Sequence, residues 1–340
     1  MVTLATSPLG SLLEAVLGQE RMGECATQLL VPDVLFGGHV GSEPVPRHVG
    51  AQALMMALFA KSLTEVPLAR SYVADKVARS ERVCLDHGAL RTVKGTSSGD
   101  LPTGQEAFSR LLEPLGFFEA DSYPLGGLRM LGHGWRHRDF PEQIAQLFVS
   151  ELDVRDFSTR FQEAAKNVVS QSRDPLSDSS KDTLDQLRSA GSAPMDALAM
   201  LIENLLACFG RHHPEAAWAD YAILREESPE MAWIATEGNT FNHAADRVSD
   251  LDAVAQAQKD CGRPMKETIE RSRSGTVCQT AFRAGMVRRR FRLEDGQIEE
   301  REVPGSFFEF ISRGEHPEER GLDLRFDAGN AQGIFRMTRS

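Results

Sequence analysis

The sequence predicts an α+β protein in which two βαβββ modules pair into a metal-binding cup, with a helical N-terminal region and a helical insertion. Three observations predict it. Two stretches, 81–157 and 231–340, each read as strand, helix and then three strands. The first strand of each carries H-x-A-x-R, as His87-Gly-Ala89-Leu-Arg91 and His243-Ala-Ala245-Asp-Arg247. The last strand of each carries E-x-x-x-R, from Glu151 to Arg155 and from Glu309 to Arg313, placed 64 and 66 residues after its histidine.

The elements follow in order. Residues 1–80 are helical in pattern, with apolar residues at helical spacing over 9–17 and 51–63 and the loop GGHVGSEPVPRH between them. At Arg82 the texture changes to VCLDHGALRTV, a β-branched strand followed by the turn-rich KGTSSGDLPTG. GQEAFSRLLEPLG then reads as a helix, and 117–125, 127–138 and 146–154 as strands. The insertion, 158–230, holds three helical patterns separated by Ser, Asp and Pro breaks. Strand texture returns at NTFNHAADRV, followed by the helix LDAVAQAQKDCG. Four strands, 277–285, 286–294, 297–304 and 306–314, close the second module. Asp295-Gly296 is a two-residue hairpin signal that would pair Arg292 with Glu299 and Arg289 with Glu302. That pairing accounts for the basic run 288–292 without a nucleic acid. No residue assigns a role to the N-terminal helices.

Composition narrows the function. A net charge of −11 repels nucleic acid and anionic membranes, though local arginines can still hold small anions. Five scattered cysteines without a CxxC pair read as reduced thiols. The N-terminus lacks a basic leader, and no apolar run reaches about 18 residues, so a soluble cytoplasmic protein is expected. No Walker loop, post-strand GxGxxG or GxSxG elbow is present.

Strand geometry gives the repeat a chemical meaning. Side chains at i, i+2 and i+4 share a face, so His87 and Arg91 point the same way across the small Ala89, and His243, Ala245 and Arg247 repeat the layout. A ligand can meet a metal at one end and a guanidinium at the other. Glu309 lies among Phe307, Phe308 and Phe310, where a carboxylate is costly unless a metal or Arg313 compensates it. Two histidines and one carboxylate leave three adjacent metal positions open, the facial arrangement of non-haem Fe(II) oxygenases. If Glu151 also reached the metal, the set His87, Glu151, His243 and Glu309 would suit a glyoxalase I-type lyase or isomerase using Ni(II) or Zn(II). Otherwise Glu151 buttresses the ligands or pairs with Arg155. His133, His137, His212 and His213 read as ordinary structural histidines.

At these residues the chain resembles the 2-oxoadipate dioxygenase/decarboxylases, of the vicinal-oxygen-chelate superfamily. The matching stretches are DHGALRTV (86–93), LFVSEL (147–152), NTFNHAADR (239–247), VCQTAF (277–282) and PGSFFEFISRG (304–314). The resemblance implies paired βαβββ modules around a metal cup and an Fe(II) triad of His87, His243 and Glu309; zinc or nickel could replace iron in a purified sample. It implies Arg91 as the catalytic-site arginine that binds a substrate carboxylate, and it adds Gln279, with Arg247 and Arg313, as pocket residues. The implied reaction takes a 2-oxo acid such as 2-oxoadipate and O2 to the 2-hydroxy acid one carbon shorter and CO2. The stretches 1–80 and 158–227 carry no matching motif.

Overall fold

A computed structural model describes residues 3–39, 41, 43–329, 333 and 337. The N-terminal helices are α1 (Pro8–Leu17), capped by the Ser7 hydroxyl, and α2 (Gln19–Gln28). After the short β1 (Val45–Pro46) come α3 (Arg47–Glu65) and α4 (Pro67–Ala78), the latter opened by a proline where no amide donor is needed. The first module runs β2 (Leu85–Lys94), α5 (Glu106–Leu112), β3 (Phe117–Leu125), β4 (Met130–His137) and β5 (Gln146–Asp153). The intervening helices are α6 (Thr159–Val169), α7 (Asp178–Ala190), α8 (Met195–Cys208), α9 (Trp218–Glu227) and α10 (Pro229–Glu237), with the two-residue β6 (Ser192–Ala193) pairing back to β1. The second module runs β7 (Phe241–Arg247), α11 (Leu251–Asp260), β8 (Glu270–Arg271), β9 (Val277–Ala281), β10 (Met286–Arg292), β11 (Ile298–Pro304) and β12 (Phe307–Arg313).

One curled sheet of eight strands joins the modules in the order β3-β4-β5-β2-β7-β12-β9-β8. Its centre is the antiparallel pair β2–β7, flanked by β5 parallel to β2 and β12 parallel to β7. The pattern is symmetric about that centre, as two paired modules require. Alternation along β2 separates two cores: Leu90 packs into a cluster with α1, α3 and α8, whereas Ala89 and Val93 join α6, α9 and α10. Both faces of the sheet are covered, which is why β2 is buried at eight consecutive positions. The N-terminal helices therefore back the sheet on the face away from His87 and Ala89.

The second module departs from the sequence reading. Strands β10 and β11 leave the main sheet and form a separate ribbon, and the second sheet strand of that module is the two-residue β8. The ribbon register also differs by one residue: Arg292 faces Ile298 and Arg289 faces Arg301. Its loop has three residues, not two, with Leu293 bonded to Gln297 across it and Gly296 at a φ of 82°. A three-residue loop ending in a left-handed glycine is the next commonest hairpin solution. The basic run is still neutralised, Arg289 by Glu237 and Arg288 by its cross-ribbon neighbour Glu302.

Candidate metal centre

The central strand pair sets the site. In its register Ala89 faces His243 and Ala245 faces His87, so the two histidines lie diagonally on one face. Glu309 enters from β12, directly opposite Ala245. The small alanines leave the space into which the three side chains converge. The Nε2 atoms of His87 and His243 are 3.3 Å apart, and the Glu309 oxygens lie 3.6 Å from the first and 3.2 Å from the second. All three residues are buried and are the group suited to hold a metal ion among the described residues.

The electrostatics fit a cation. Burial lowers both imidazoles, that of His243 well below its ordinary value, with the neighbouring His87 and then Arg91 adding to the effect. Burial, together with the Asp86 and Glu270 charges, pushes the Glu309 carboxyl well above its ordinary range. Glu309 Oε1 and His243 Nδ1 are buried without a hydrogen bond among the described residues. Two neutral nitrogen donors and a costly carboxylate form the donor set of a divalent transition metal, whose charge would relieve the strain on Glu309.

A relay fixes the ligands. His87 Nδ1 bonds Asp86 Oδ2 at 2.8 Å, which turns its Nε2 lone pair toward the cup. Arg313 grips Asp86 through Nε and Nη2, both at 2.9 Å, and donates Nη1 to the Asp323 and Arg325 carbonyls. Burial opposes the Asp86 charge, but Arg313 and His87 hold its carboxyl well below the usual carboxylate range. Phe307 lies 4.8 Å from the His243 ring, and Phe326 meets the His87 ring edge-on at 5.0 Å.

The expected site residues divide. Gln279 lines the cup beside the triad, in a cleft of about 370 Å³ that also includes Phe148, Ser150, Asn242, Phe326 and Asp327. Arg91 is fully buried near His243, its guanidinium 4.8 Å over the Trp233 ring. Arg313 does not face the cup; Asp86 and two carbonyls occupy it, and it makes no ion pair with Glu309. Arg247 lies at the other end of the antiparallel pair, bonded to Cys84 Sγ and the Glu142 carbonyl, and lines a different cavity.

Glu151 is neither a ligand nor a buttress of the ligands. Phe148 and Ser150 face the cup, so Glu151, one residue further, points to the opposite face. There it pairs with Lys94 and accepts the Gln105 N–H at 2.8 Å, while Arg155 pairs with Asp153. The four-ligand arrangement is therefore absent, and with it the geometry for a glyoxalase I-type centre. Sequence reading missed Asp86, although an acid adjoining a ligand histidine is a usable signal. It also missed Phe326 and Asp327, which no periodic pattern connects to the cup.

The comparisons with known proteins agree with this architecture. A family model described as 2-oxoadipate dioxygenase/decarboxylase matches residues 45–336. A protein from Ralstonia eutropha JMP134, ascribed to the glyoxalase superfamily, is similar at 46% identity and a TM-score of 0.90, over 95% of this chain and 99% of that one. The hydroxyglutarate synthase of Oryza sativa, solved with 2-oxoadipate, shares 18% identity at a TM-score of 0.64, over 89% of this chain and 98% of that one. That of Pseudomonas putida, also solved with 2-oxoadipate, shares 19% at 0.61, over 81% and 66%. At these last identities the likeness is one of fold. No curated protein matches the chain by sequence.

Proposed function

The chain belongs to the 2-oxoadipate dioxygenase/decarboxylase family, and from that membership we propose that it is an Fe(II)-dependent enzyme acting on a 2-oxo acid of the 2-oxoadipate type. The reaction consumes O2 and yields CO2 and the 2-hydroxy acid one carbon shorter. For 2-oxoadipate the product is 2-hydroxyglutarate, and both oxygen atoms of O2 are accounted for between the two products. The observation that carries the reading is the convergence of His87 Nε2, His243 Nε2 and Glu309 in one buried cup.

Iron bound there would supply chelation of the oxo acid and activation of O2. The protein's own residues supply the rest. Asp86 and Arg313 hold His87 in the tautomer that presents Nε2. Phe307 and Phe326 fix the imidazole planes and keep water from the cup. We assign Arg91 to the substrate carboxylate, because it places a permanent positive charge beside His243 and stacking on Trp233 limits its rotamers. Gln279 offers an amide to the bound acid from the second module.

The test is oxygen uptake by anaerobically Fe(II)-loaded protein against 2-oxo acids led by 2-oxoadipate. Uptake equal to CO2 and 2-hydroxyglutarate formed, and lost in His87→Ala, is the expected result. Iron-loaded protein that consumes no O2 with any oxo acid of the panel would end the proposal.

A further inference from the structure

Arg247 is the repeat arginine that the metal cup does not use. It lines a second cavity of about 690 Å³, together with Gln52, Cys84, Leu29, Leu30 and Leu85. Its Nη2 donates to Cys84 Sγ at 3.3 Å and to the Glu142 carbonyl at 3.2 Å, while Nη1 stands 3.9 Å from Asp86, beyond hydrogen-bond reach. Asp86 is already matched by Arg313 at 2.9 Å. Burial pushes the Cys84 thiol up, so it carries no balancing charge. Glu142 also lines the cavity, and its Oε1 is engaged by the Leu322 N–H at 3.1 Å.

A second, independent feature points into the same space. The Gln52 side chain is only 6% exposed, yet its amide oxygen is buried without a partner, and it makes no side-chain hydrogen bond among the described residues. Buried amides are otherwise satisfied, so a ligand or water group is called for here. Around the polar end the wall is hydrocarbon, and Leu30 at the rim is 57% exposed.

We propose that this cavity is a binding site for a short-chain monocarboxylate, distinct from the metal cup. The carboxylate would sit between Arg247 and Gln52, where the planar guanidinium can offer paired donors, and the alkyl chain would lie on Leu29, Leu30 and Leu85. One cation, one amide and an apolar wall suit a monoacid better than a diacid, whose second carboxylate would meet leucine.

The probe is hexanoate, titrated calorimetrically into metal-free protein, with hexanamide as the uncharged control. One equivalent should bind saturably, hexanamide far more weakly, and His87→Ala should bind hexanoate as the unaltered protein does. Arg247→Met should weaken binding about tenfold or more. Leu30→Glu, a rim change that leaves the fold alone, should weaken it as well by placing a like charge at the entrance. Hexanoate binding unchanged in both variants, lost in His87→Ala, or undetectable up to about 10 mM would overturn the assignment. None of these outcomes depends on iron or O2, so they are separate from the fate of the oxygenase reading.

Discussion

Phe148 occupies in the first module the place that Glu309 occupies in the second. Each sits on the strand parallel to its histidine strand, directly opposite the alanine two residues beyond the histidine: Phe148 faces Ala89, and Glu309 faces Ala245. The duplicated scaffold thus presents two histidines but one carboxylate. A phenyl ring fills the fourth position, and Gly132 on β4 makes room for it, since a Cβ there would lie 2.3 Å from the ring. The asymmetry keeps metal positions open for substrate.

Restoring the symmetry should change the chemistry. Phe148→Glu is expected to complete a two-histidine, two-glutamate set, raising Zn(II) affinity while reducing O2 uptake with 2-oxoadipate by about a hundredfold or more. Without metal the variant should lose about 1–3 kcal/mol of stability, because a carboxylate replaces an aromatic in an apolar wall. Chelator competition and an oxygen electrode read the two effects. Full O2 uptake in the variant would mean that position 148 does not reach the metal.

Asp86→Asn tests the relay behind His87. The variant keeps a hydrogen-bond acceptor near Nδ1 but removes the charge that matches the fully buried Arg313 guanidinium. Metal affinity should fall about 10–100-fold, and the melting temperature should drop because a buried cation loses its counter-charge. Affinity unchanged within about twofold would show that Asp86 serves the fold and not the ligand.

The histidine pair was legible in the sequence because strands have a period of two, and H-x-A-x-R places imidazole and guanidinium on one face whatever the partner strand. Glu309 was legible from its phenylalanine setting. Register was not. Matching Glu151 to Glu309 by letters slid the first module by three residues against the true equivalence of Phe148, and an odd slip turns every side chain to the other face. The same blindness affected Arg247 and Arg313, whose strand faces were right but whose ends of the sheet depended on strand order. Helix α10 escaped because Glu230 to Glu237 are buried on all sides, which erases the amphipathic period. The ribbon strands β10 and β11 have the same local texture as sheet strands, and the two-residue β8 is too short to have one.

Glu151→Gln should leave metal binding untouched and act on acid stability. Although burial opposes its charge, His133, Lys94 and the Gln105 N–H hold the Glu151 carboxyl at about 2, below its ordinary 4.5. A depressed carboxylate stabilises the fold above the unfolded value, and that contribution is lost as pH falls from 4.5 toward 2. The unaltered protein should therefore lead the variant by about 1–2 kcal/mol near neutral pH, after allowing for solvent screening, and the lead should close in acid. Urea midpoints at several pH values, with metal stoichiometry measured alongside, check this. A stoichiometry that falls with Glu151→Gln would return the residue to the metal centre.

Phe326→Ala probes the closure of the cup. The Phe326 ring stands 5.0 Å from His87 and 4.7 Å from Phe148, while the Phe326 amide bonds the Tyr123 hydroxyl at 3.0 Å. It is thus a stopper held by its own backbone, and removing the ring opens the metal side of the cleft to water without releasing the strand that carries it. Metal content should persist, because no ligand is touched. The expected loss is in coupling: O2 consumption should exceed 2-hydroxyglutarate formed, and kcat/KM should fall about tenfold as water competes within the cup. Phe326→Leu, which keeps an apolar plug, should restore most of the coupling. Tight one-to-one stoichiometry in Phe326→Ala would show that water exclusion rests on other walls of the cup, Phe148 and Phe307 first among them.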